Sequence, residues 1–475
     1  MVDPSTLDRA MNDLTYFIET WGCQMNVHDS EQLADSLKRS GYCLAQSPES
    51  ASVIVLNTCS VRDKAAQKVF TRLGRLSGFK KKVPAKTDRG APAVVAFPII
   101  CVAGCVAQQE GREILDRIPG VDLVLGTRRT SEIGYLVERI RNNEGPLVST
   151  DLKSTQHRHT AQPIHRRSPW KAYVTVIEGC DNFCAYCIVP LVRGREKSRG
   201  SNDILREIST LVEGGVLEIE LLGQNVNSYV DGQGGDFTSL LEKVVKIQGL
   251  RRLRFTVSHP RDFTHRLALL MAKHQGLICR HLHLPLQSGS NRILADMGRG
   301  YTREEYLEKI QLIKTLIPGI AISTDLIVGF PGESEEDFQE TLSAVRTVGY
   351  DATFSFMYNP RPGTRAAELP DDVEEETKLR RIHQLQELQK SIQIKTHQEL
   401  VGTELEVLVE GESRRGGGQF FGRDSGNRVV NFDYGLSGQP PGWPSDPRGR
   451  LVRVAVTRWH PNSVFGQMIS IEDMA

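Results

Sequence analysis

Between residues 172 and 372 a short apolar segment followed by a helix-patterned one recurs six times, and this repeat constrains the fold more than any other feature. The strand-patterned segments are 173–177, 217–222, 253–257, 281–284, 321–328 and 353–357. Helical stretches lie between them, among them 335–348, whose acidic first turn suits a helix N-terminus. Six such units predict a parallel (βα)6 barrel or partial barrel, with chemistry at the C-terminal ends of the strands. Residues 373–398 are polar and helix-prone and complete a central domain at 172–398.

The flanks differ in pattern. In residues 1–150 a buried strand at 53–56 stands between helical stretches at 29–40 and 62–76, the first stopped by Gly41. This alternation predicts a small parallel α/β domain. Residues 79–92, rich in Lys, Pro and Gly, read as a surface loop. Residues 151–171 read as a linker; within 152–171 there are five Lys/Arg, three His and no acid, which fits a solvated connector or a phosphate-contacting strip. In residues 399–475, Leu405, Val407 and Val409, then Val452, Val454 and Val456, alternate with other positions between Gly- and Pro-rich turns. Period-two patterning of this kind predicts a small antiparallel β-barrel. The fold class is therefore α/β with a C-terminal β-barrel.

Composition excludes little. At 39% apolar and 25% charged, the chain has the make-up of a globular protein. With a net charge of +1, any nucleic-acid contact must rest on local patches. The first residues carry Asp3, Asp8 and Asp13 rather than a signal or transit pattern, and no apolar run is long enough for a membrane span. The expected setting is the reducing cytoplasm, where nine cysteines read as metal ligands or buried thiols rather than disulfides.

Cys180, Cys184 and Cys187 stand at C-x3-C-x2-C directly after the first barrel strand. Three thiolates on one loop suit an iron–sulfur cluster with one iron left open. The alternatives are zinc and inert thiols; a closed zinc site wants four ligands, and no fourth Cys or His follows at a normal spacing. Cys23, Cys59 and Cys105 lie far apart, and each alone reads as a buried thiol. All three, however, fall at expected strand-to-helix turns, which a parallel sheet gathers on one edge. A second cluster with an open iron fits there. Cys101 rivals Cys105 but sits after the apolar run Phe97-Pro98-Ile99-Ile100, as a strand residue would. Cys43 and Cys279 read as structural.

The triplet Gly179-Cys180-Asp181-Asn182-Phe183-Cys184-Ala185-Tyr186-Cys187 resembles the radical-SAM signature, and with the second triplet the chain resembles the methylthiotransferase family over nearly its whole length. The resemblance also rests on Gly22-Cys23-Gln24-Met25-Asn26, Asn57-Thr58-Cys59-Ser60-Val61-Arg62-Asp63-Lys64-Ala65, His283-Leu284-Pro285-Leu286-Gln287-Ser288-Gly289-Ser290, Tyr358-Asn359-Pro360-Arg361-Pro362-Gly363-Thr364 and Asn427-Arg428-Val429-Val430-Asn431-Phe432. The segment 78–100 looks longer than the family pattern.

The resemblance implies three domains: an iron–sulfur domain, a radical-SAM barrel and an RNA-binding TRAM barrel. It implies two 4Fe–4S clusters and S-adenosylmethionine (SAM) as cofactors. By the same resemblance, the cluster on Cys180, Cys184 and Cys187 makes the deoxyadenosyl radical that takes hydrogen from C2 of an adenine. The cluster on Cys23, Cys59 and Cys105 supplies sulfur, and a second SAM supplies the methyl group. The expected substrate is N6-dimethylallyladenosine beside the anticodon of tRNA, reduced chemistry being fed by a donor such as flavodoxin or ferredoxin. Threonylcarbamoyladenosine in tRNA and a ribosomal-protein aspartate are the rival substrates within the family, and a non-enzymatic iron–sulfur RNA-binding or redox-sensing protein is the rival outside it. For SAM, the candidate contacts are Tyr186, Gln224, Asn225, Asp325 and Gly329, each with ordinary turn or core structure as its alternative. For RNA they are Arg193, Arg195, Lys197 and Arg199 after the cluster loop, and Arg414, Arg415, Arg423, Arg428, Phe420 and Phe421 in the last domain. That domain has 8 Lys/Arg against 10 Asp/Glu, so its RNA role rests on the resemblance and not on charge.

Overall fold

A computed structural model describes residues 14–60, 63–86, 92–152, 166, 168–256, 258–414, 416–434 and 444–472. Two compact units divide the chain. One comprises 1–168, 173–181 and 188–197, the other 169–172, 182–187 and 198–475.

The first unit runs β1 (Thr15–Trp21), α1 (Gln24–Arg39), β2 (Cys43–Leu44), β3 (Val53–Thr58), α2 (Asp63–Ser77), β4 (Lys81–Lys86), β5 (Pro92–Phe97), β6 (Ile99–Gly104), α3 (Cys105–Glu110), α4 (Glu113–Arg117), β7 (Leu123–Leu125), α5 (Ile133–Arg141) and β8 (Leu147–Ser149). Six strands form one parallel sheet in the order β2-β1-β3-β6-β7-β8. Every residue of β3 and β6 is buried, as strands covered on both faces must be. Leu33, Leu37, Ile133 and Val137 cover one face, and Leu73, Val106 and Ile114 the other.

Two details depart from the sequence reading. Helix α1 starts at Gln24, with Cys23 as its N-cap, and not at residue 29, because the start of its buried face carries the polar Asn26, His28 and Asp29, which hide the apolar period. Within the segment read as a loop, Lys81–Lys86 is a strand: β4 and β5 pair antiparallel from Lys81–Phe97 to Lys86–Pro92, and 87–91 lie outside the described residues. Pro84 is tolerated there because both strands of a two-stranded ribbon are edges.

From residue 171 the elements are β9 (Lys171–Thr175), β10 (Ile177–Glu178), α6 (Val189–Arg193), β11 (Lys197–Ser198), α7 (Ser201–Glu213), β12 (Glu218–Leu222), α8 (Phe237–Val244), β13 (Arg252–Phe255), α9 (His265–Lys273), β14 (His281–His283), α10 (Asn291–Asp296), α11 (Arg303–Leu316), β15 (Ala321–Val328), α12 (Glu335–Val348), β16 (Ala352–Met357) and α13 (Glu375–Glu399). The barrel strands stand in two groups, β13-β12-β9 and β14-β15-β16, with a parallel bridge at Leu253–Ile278 between the third strand and the approach to the fourth. Helix α12 starts at its predicted position because Ser334 and Asp337 cap each other: the Asp337 N–H donates to Ser334 Oγ (3.2 Å) and the Ser334 N–H to Asp337 Oδ2 (2.8 Å).

The last strands, β17 (Glu404–Glu412), β18 (Gln419–Asp424), β19 (Val429–Asp433), β20 (Leu451–His460) and β21 (Ser463–Glu472), close a barrel in the order β17-β18-β19-β21-β20. Its alternating residues Val407, Val409, Val430, Phe432, Val452, Val454 and Val456 form the core. All pairs are antiparallel except β19–β21, which is parallel. Buried Arg252 ties this barrel to β13 through the Glu406 carboxylate (2.8 Å) and the Arg423 carbonyl (2.9 Å). Among the described residues no helix is long and apolar enough to cross a membrane.

Candidate active site

Strand register explains how three distant cysteines of the first unit come together. Trp21 pairs with Thr58, and Thr58 with Gly104, so the C-terminal ends of β1, β3 and β6 stand level on neighbouring strands. Cys23, Cys59 and Cys105 come one or two positions after those three residues, with adjacent strands about 4.8 Å apart. Close backbone approach makes two glycines necessary. A Cβ on Gly104 would lie 2.4 Å from the Thr58 carbonyl, at a φ of +91°. One on Gly22 would lie 2.9 Å from Cys59 Cβ and nearer still to Asn26.

Asn26 and Asn57, both fully buried, brace these turns. The Cys23 N–H donates to Asn26 Oδ1 (3.3 Å), and Asn57 Nδ2 donates to the Asn26 carbonyl (2.8 Å) and to Ser30 Oγ (2.9 Å). A hydrogen bond from Cys59 does most to pull the Cys23 thiol down to about 6, aided by Asn26 and the charge of Arg193 and opposed by the crowding of protein atoms around a side chain that still reaches solvent. Burial raises the Cys105 thiol, against the lowering charge of Arg193. Cys101 is different: it is fully buried inside β6, paired with Val55 and Leu123, and burial raises its thiol far above the ordinary range. Cys105, at the first turn of α3, is the one that faces Cys23 and Arg193.

Arg193 is buried and makes a forked ion pair with buried Asp29, at 2.6 and 3.3 Å. The expectation that it meets RNA phosphate is therefore corrected: its guanidinium is enclosed beside Cys105 and Cys23. Burial there disfavours its cation, but the charges of Asp29 and of the two thiols more than restore it. The segment carrying it is held by the turn after β7, where Thr127 Oγ1 donates to the Val192 carbonyl (2.6 Å) and Arg128 Nη2 to that of Arg195 (2.9 Å).

Cys180 packs with this first unit, its N–H donating to the Gly194 carbonyl (3.2 Å). Gly179 admits no side chain, since a Cβ there would sit 2.5 Å from that same carbonyl. Exposed Arg195 pairs with Asp181 (2.7 Å).

Cys184 and Cys187 pack with the second unit. Phe183 turns the chain at a φ of +46°, and Arg365 Nη2 caps its carbonyl (3.1 Å). Ala185 is pinned on both sides: its N–H donates to the Met297 carbonyl and its carbonyl accepts from the Ala366 N–H, each at 2.8 Å. Cys187 closes the turn with its N–H on the Cys184 carbonyl (3.0 Å). Arg299, also buried, donates from Nη1 to Cys184 Sγ (3.2 Å) and to Tyr186 Oη (3.4 Å).

The proposed SAM contacts fare unevenly. Tyr186 lies beside Arg299 and packs on Ala185, Met297 and Phe330. Gln224 is half-buried after β12. Asn225, only 1% exposed, is corrected to a clamp, its Nδ2 on Asp262 Oδ2 (2.6 Å) and its Oδ1 receiving the His259 N–H (3.1 Å). Asp325 faces His283 Nε2 at 3.5 Å. Gly329 is needed for packing on Lys378, whose Cδ would be 3.0 Å from a Cβ, so the close approach expected of a cofactor is taken by a helix of the chain itself. Of the proposed RNA contacts, Arg199 is bound to buried Glu207 (2.6 Å) and Arg428 to Asp424 (3.1 Å) and Asp351 (2.8 Å), so neither presents a free guanidinium. Phe420 lies in the barrel core beside Phe432 and Tyr434 rather than on its surface. Phe421 is half-buried, Lys197 and Arg414 are exposed, and Arg415 lies outside the described residues.

Sequence reading missed Arg299, whose signal is the run Met297-Gly298-Arg299-Gly300-Tyr301: both flanking glycines take positive φ, +69° and +68°, and turn the arginine inward. It also missed Asn26 and Asn57 as braces, although both flank the cysteines in sequence.

The donor set fits iron–sulfur chemistry. Soft thiols come in threes, each set with a buried guanidinium against a thiol. Among the described residues no three His, Cys, Asp or Glu side chains close around a single ion. The ligands of a four-iron cube bind separate irons and are spread over its corners.

Comparison with known proteins agrees with this class. Residues 174–345 match the Radical SAM superfamily, residues 398–469 the TRAM domain and residues 15–126 the Uncharacterized protein family UPF0004. The chain is thus a radical-SAM protein with a TRAM domain. A tRNA-2-methylthio-N(6)-dimethylallyladenosine synthase of Geotalea uraniireducens (strain Rf4) is 46% identical over 95% of this chain and 98% of its own length. One of Solibacter usitatus (strain Ellin6076) is 43% identical over 97% and 99%. The chain belongs to the family of these synthases. Among solved structures, the radical S-adenosylmethionine methyltransferase TsrM of Kitasatospora setae superposes with a TM-score of 0.52 at 13% identity, covering 85% of this chain and 77% of that one, a likeness of fold alone.

Proposed function

We propose that this chain attaches a methylthio group to C2 of N6-dimethylallyladenosine beside the anticodon of tRNA. The observation that carries the reading is the level ending of β1, β3 and β6, which brings Cys23, Cys59 and Cys105 to one sheet edge in a chain that also has the C-x3-C-x2-C loop. Cys180, Cys184 and Cys187 hold one 4Fe–4S cluster and the edge triplet holds a second. When bound, the clusters and SAM supply hydrogen abstraction, sulfur and methyl.

The chain's own residues position and shield. C2–H of adenine carries no acidic proton, so an acid–base side chain has nothing to remove there and none is required. Asn26 and Asn57 fix the spacing of the edge thiols, and the apolar side chains of Ile188 and Val192 pack against Cys105 and keep water from it. Arg193 and Arg299 bring positive charge to the two thiolate sets without exposing it. Exposed Arg195 and Lys197 remain candidates for phosphate after the cluster loop, and the C-terminal barrel supports tRNA contact by its family. A low-potential one-electron donor of the flavodoxin or ferredoxin kind completes the cycle.

The test is nucleoside mass spectrometry of tRNA from a bacterial host that lacks 2-methylthiolation and expresses this chain. The 2-methylthio derivative of dimethylallyladenosine is expected with the intact chain and absent with Cys59→Ala or Cys187→Ala. Methylthiolation of threonylcarbamoyladenosine alone, or no modified base from a cluster-loaded chain, overturns the proposal.

A further inference from the structure

Arg299 is 4% exposed, yet among the described residues no carboxylate pairs with it. It makes four hydrogen bonds instead. Nε donates to Tyr301 Oη (3.0 Å), Nη2 to the Pro285 carbonyl (3.0 Å), and Nη1 to Cys184 Sγ (3.2 Å) and Tyr186 Oη (3.4 Å). Tyr301 in turn donates to the Leu286 carbonyl (2.8 Å), which fixes the fork from behind. A guanidinium is always charged, and burying one without an anion is costly. The group that balances it must therefore be brought by what binds at Cys184. A thiolate, and the negatively charged iron–sulfur cube it would hold, meets that need.

Resting on the cluster reading above, we infer that Arg299 is a positioning residue for the SAM cluster: its Nη1–H on Sγ holds the Cys184 thiolate in its ligating rotamer, and its buried charge makes the cluster easier to reduce. Cluster potentials rise with hydrogen bonds to sulfur and with nearby positive charge, since the reduced state is the more negative. Low surrounding polarity strengthens both effects. The glycines on either side of Arg299 and the Ala185–Met297 backbone bond keep the cation and the loop in fixed register, so the effect is built into the fold rather than induced by substrate.

The test compares Arg299→Gln and Arg299→Lys with the parent in the full-length chain, reconstituted without oxygen and carrying Cys23→Ala, Cys59→Ala and Cys105→Ala so that one cluster is observed. Iron and acid-labile sulfide are counted, and the reduced cluster is followed by electron paramagnetic resonance during a potentiometric titration. At a fixed potential, R299Q is expected to show about a tenfold lower ratio of reduced to oxidised cluster, a midpoint about 59 mV more negative for a one-electron couple. R299K, which keeps the charge, is expected to recover at least half of that shift. A loaded R299Q with the parent midpoint overturns the inference. If R299Q binds no cluster, R299K decides: loaded, it supports the charge; empty, it overturns the inference in favour of packing. A parent that binds no cluster on Cys180, Cys184 and Cys187 refutes the functional reading itself, before any variant is compared.

Discussion

Asn26 and Asn57 are hydrogen-bonded to each other across two strand ends: Asn57 Nδ2 donates to the Asn26 carbonyl at 2.8 Å, and Asn26 Nδ2 donates to the Thr58 carbonyl at 3.2 Å. The turn that carries Cys23 is thereby tied to the turn that carries Cys59. Asn57→Ala removes an amide with no exposure to solvent and leaves the Asn26 carbonyl and Ser30 short of a donor. The expected cost is about 1–3 kcal/mol for the first unit. Denaturant unfolding followed by Trp21 fluorescence, with Trp170, Trp443 and Trp459 replaced by Phe in parent and variant alike, measures it, and the same variant should load less iron on the edge triplet. Unchanged unfolding and unchanged iron would show that the two turns hold their spacing without this brace.

The Arg193–Asp29 pair, with side chains only 6% and 7% exposed, makes a second prediction. Asp29→Asn leaves a buried cation without its anion and should cost about 3–5 kcal/mol, whereas Arg193→Met with Asp29→Leu should recover most of it. Arg195, with a side chain 74% exposed, should behave in the opposite way. Arg195→Ala should leave folding within about 0.5 kcal/mol. If it meets phosphate, it should reduce the salt dependence of tRNA binding by about 0.7–0.9 in slope. Filter binding across a salt series separates the two arginines.

Much of this architecture was legible because long periodic segments say which face is buried. Strand 321–328 and helix 335–348 stand where their patterns put them, and the alternating valines of the last domain do form the inside of a barrel. The edge triplet was legible for a topological reason, since successive turns of a parallel sheet share one edge. Partners, by contrast, were not legible. Arg193 and Arg428 read as exposed cations until Asp29 and Asp351, far away in sequence, are seen to bind them. Asn225 and Gly329 occupied the right strand ends for a cofactor, but tertiary contacts with His259 and Lys378 had already claimed them. The pairing of Lys81–Lys86 with Pro92–Phe97 was hidden because Lys and Pro signal a loop locally, while pairing with a second segment is a non-local fact.

Cys101 and Cys105 are four residues apart and should respond oppositely to the same change. Cys101 points into the interior of the sheet, packed with Val55, Ala103 and Leu123, where a thiolate is disfavoured. Cys105 faces Cys23 and Arg193. Cys101→Ala is therefore expected to keep the full iron and sulfide content of the reconstituted chain, at a modest loss of stability from the small cavity. Cys105→Ala should lose one of the two clusters and keep the other. Equal iron in the two variants, or loss only in the first, would move the third ligand to Cys101.

Glu333 gives the fold a pH dependence of unusual sign. It is 4% exposed and its carboxyl is pushed up to about 7, because burial outweighs the opposing help of the Gly329 N–H and the Arg381 guanidinium. In the unfolded chain a glutamate titrates near 4.3. Between about 4.3 and about 7 the folded state therefore holds a proton that the unfolded state has released, and stability falls as pH rises through this window. Below the window both states are protonated and above it both are ionised, so the effect is flat outside it. Glu333→Gln keeps an acceptor for the Gly329 N–H and has no proton to lose. The difference in unfolding free energy, variant minus parent, should rise by about 3 kcal/mol from pH 4 to pH 8, most of it between 4.5 and 7. A flat difference would mean that Arg381 holds the carboxylate ionised throughout, and that the Glu333–Arg381 pair at 2.8 Å dominates its own desolvation.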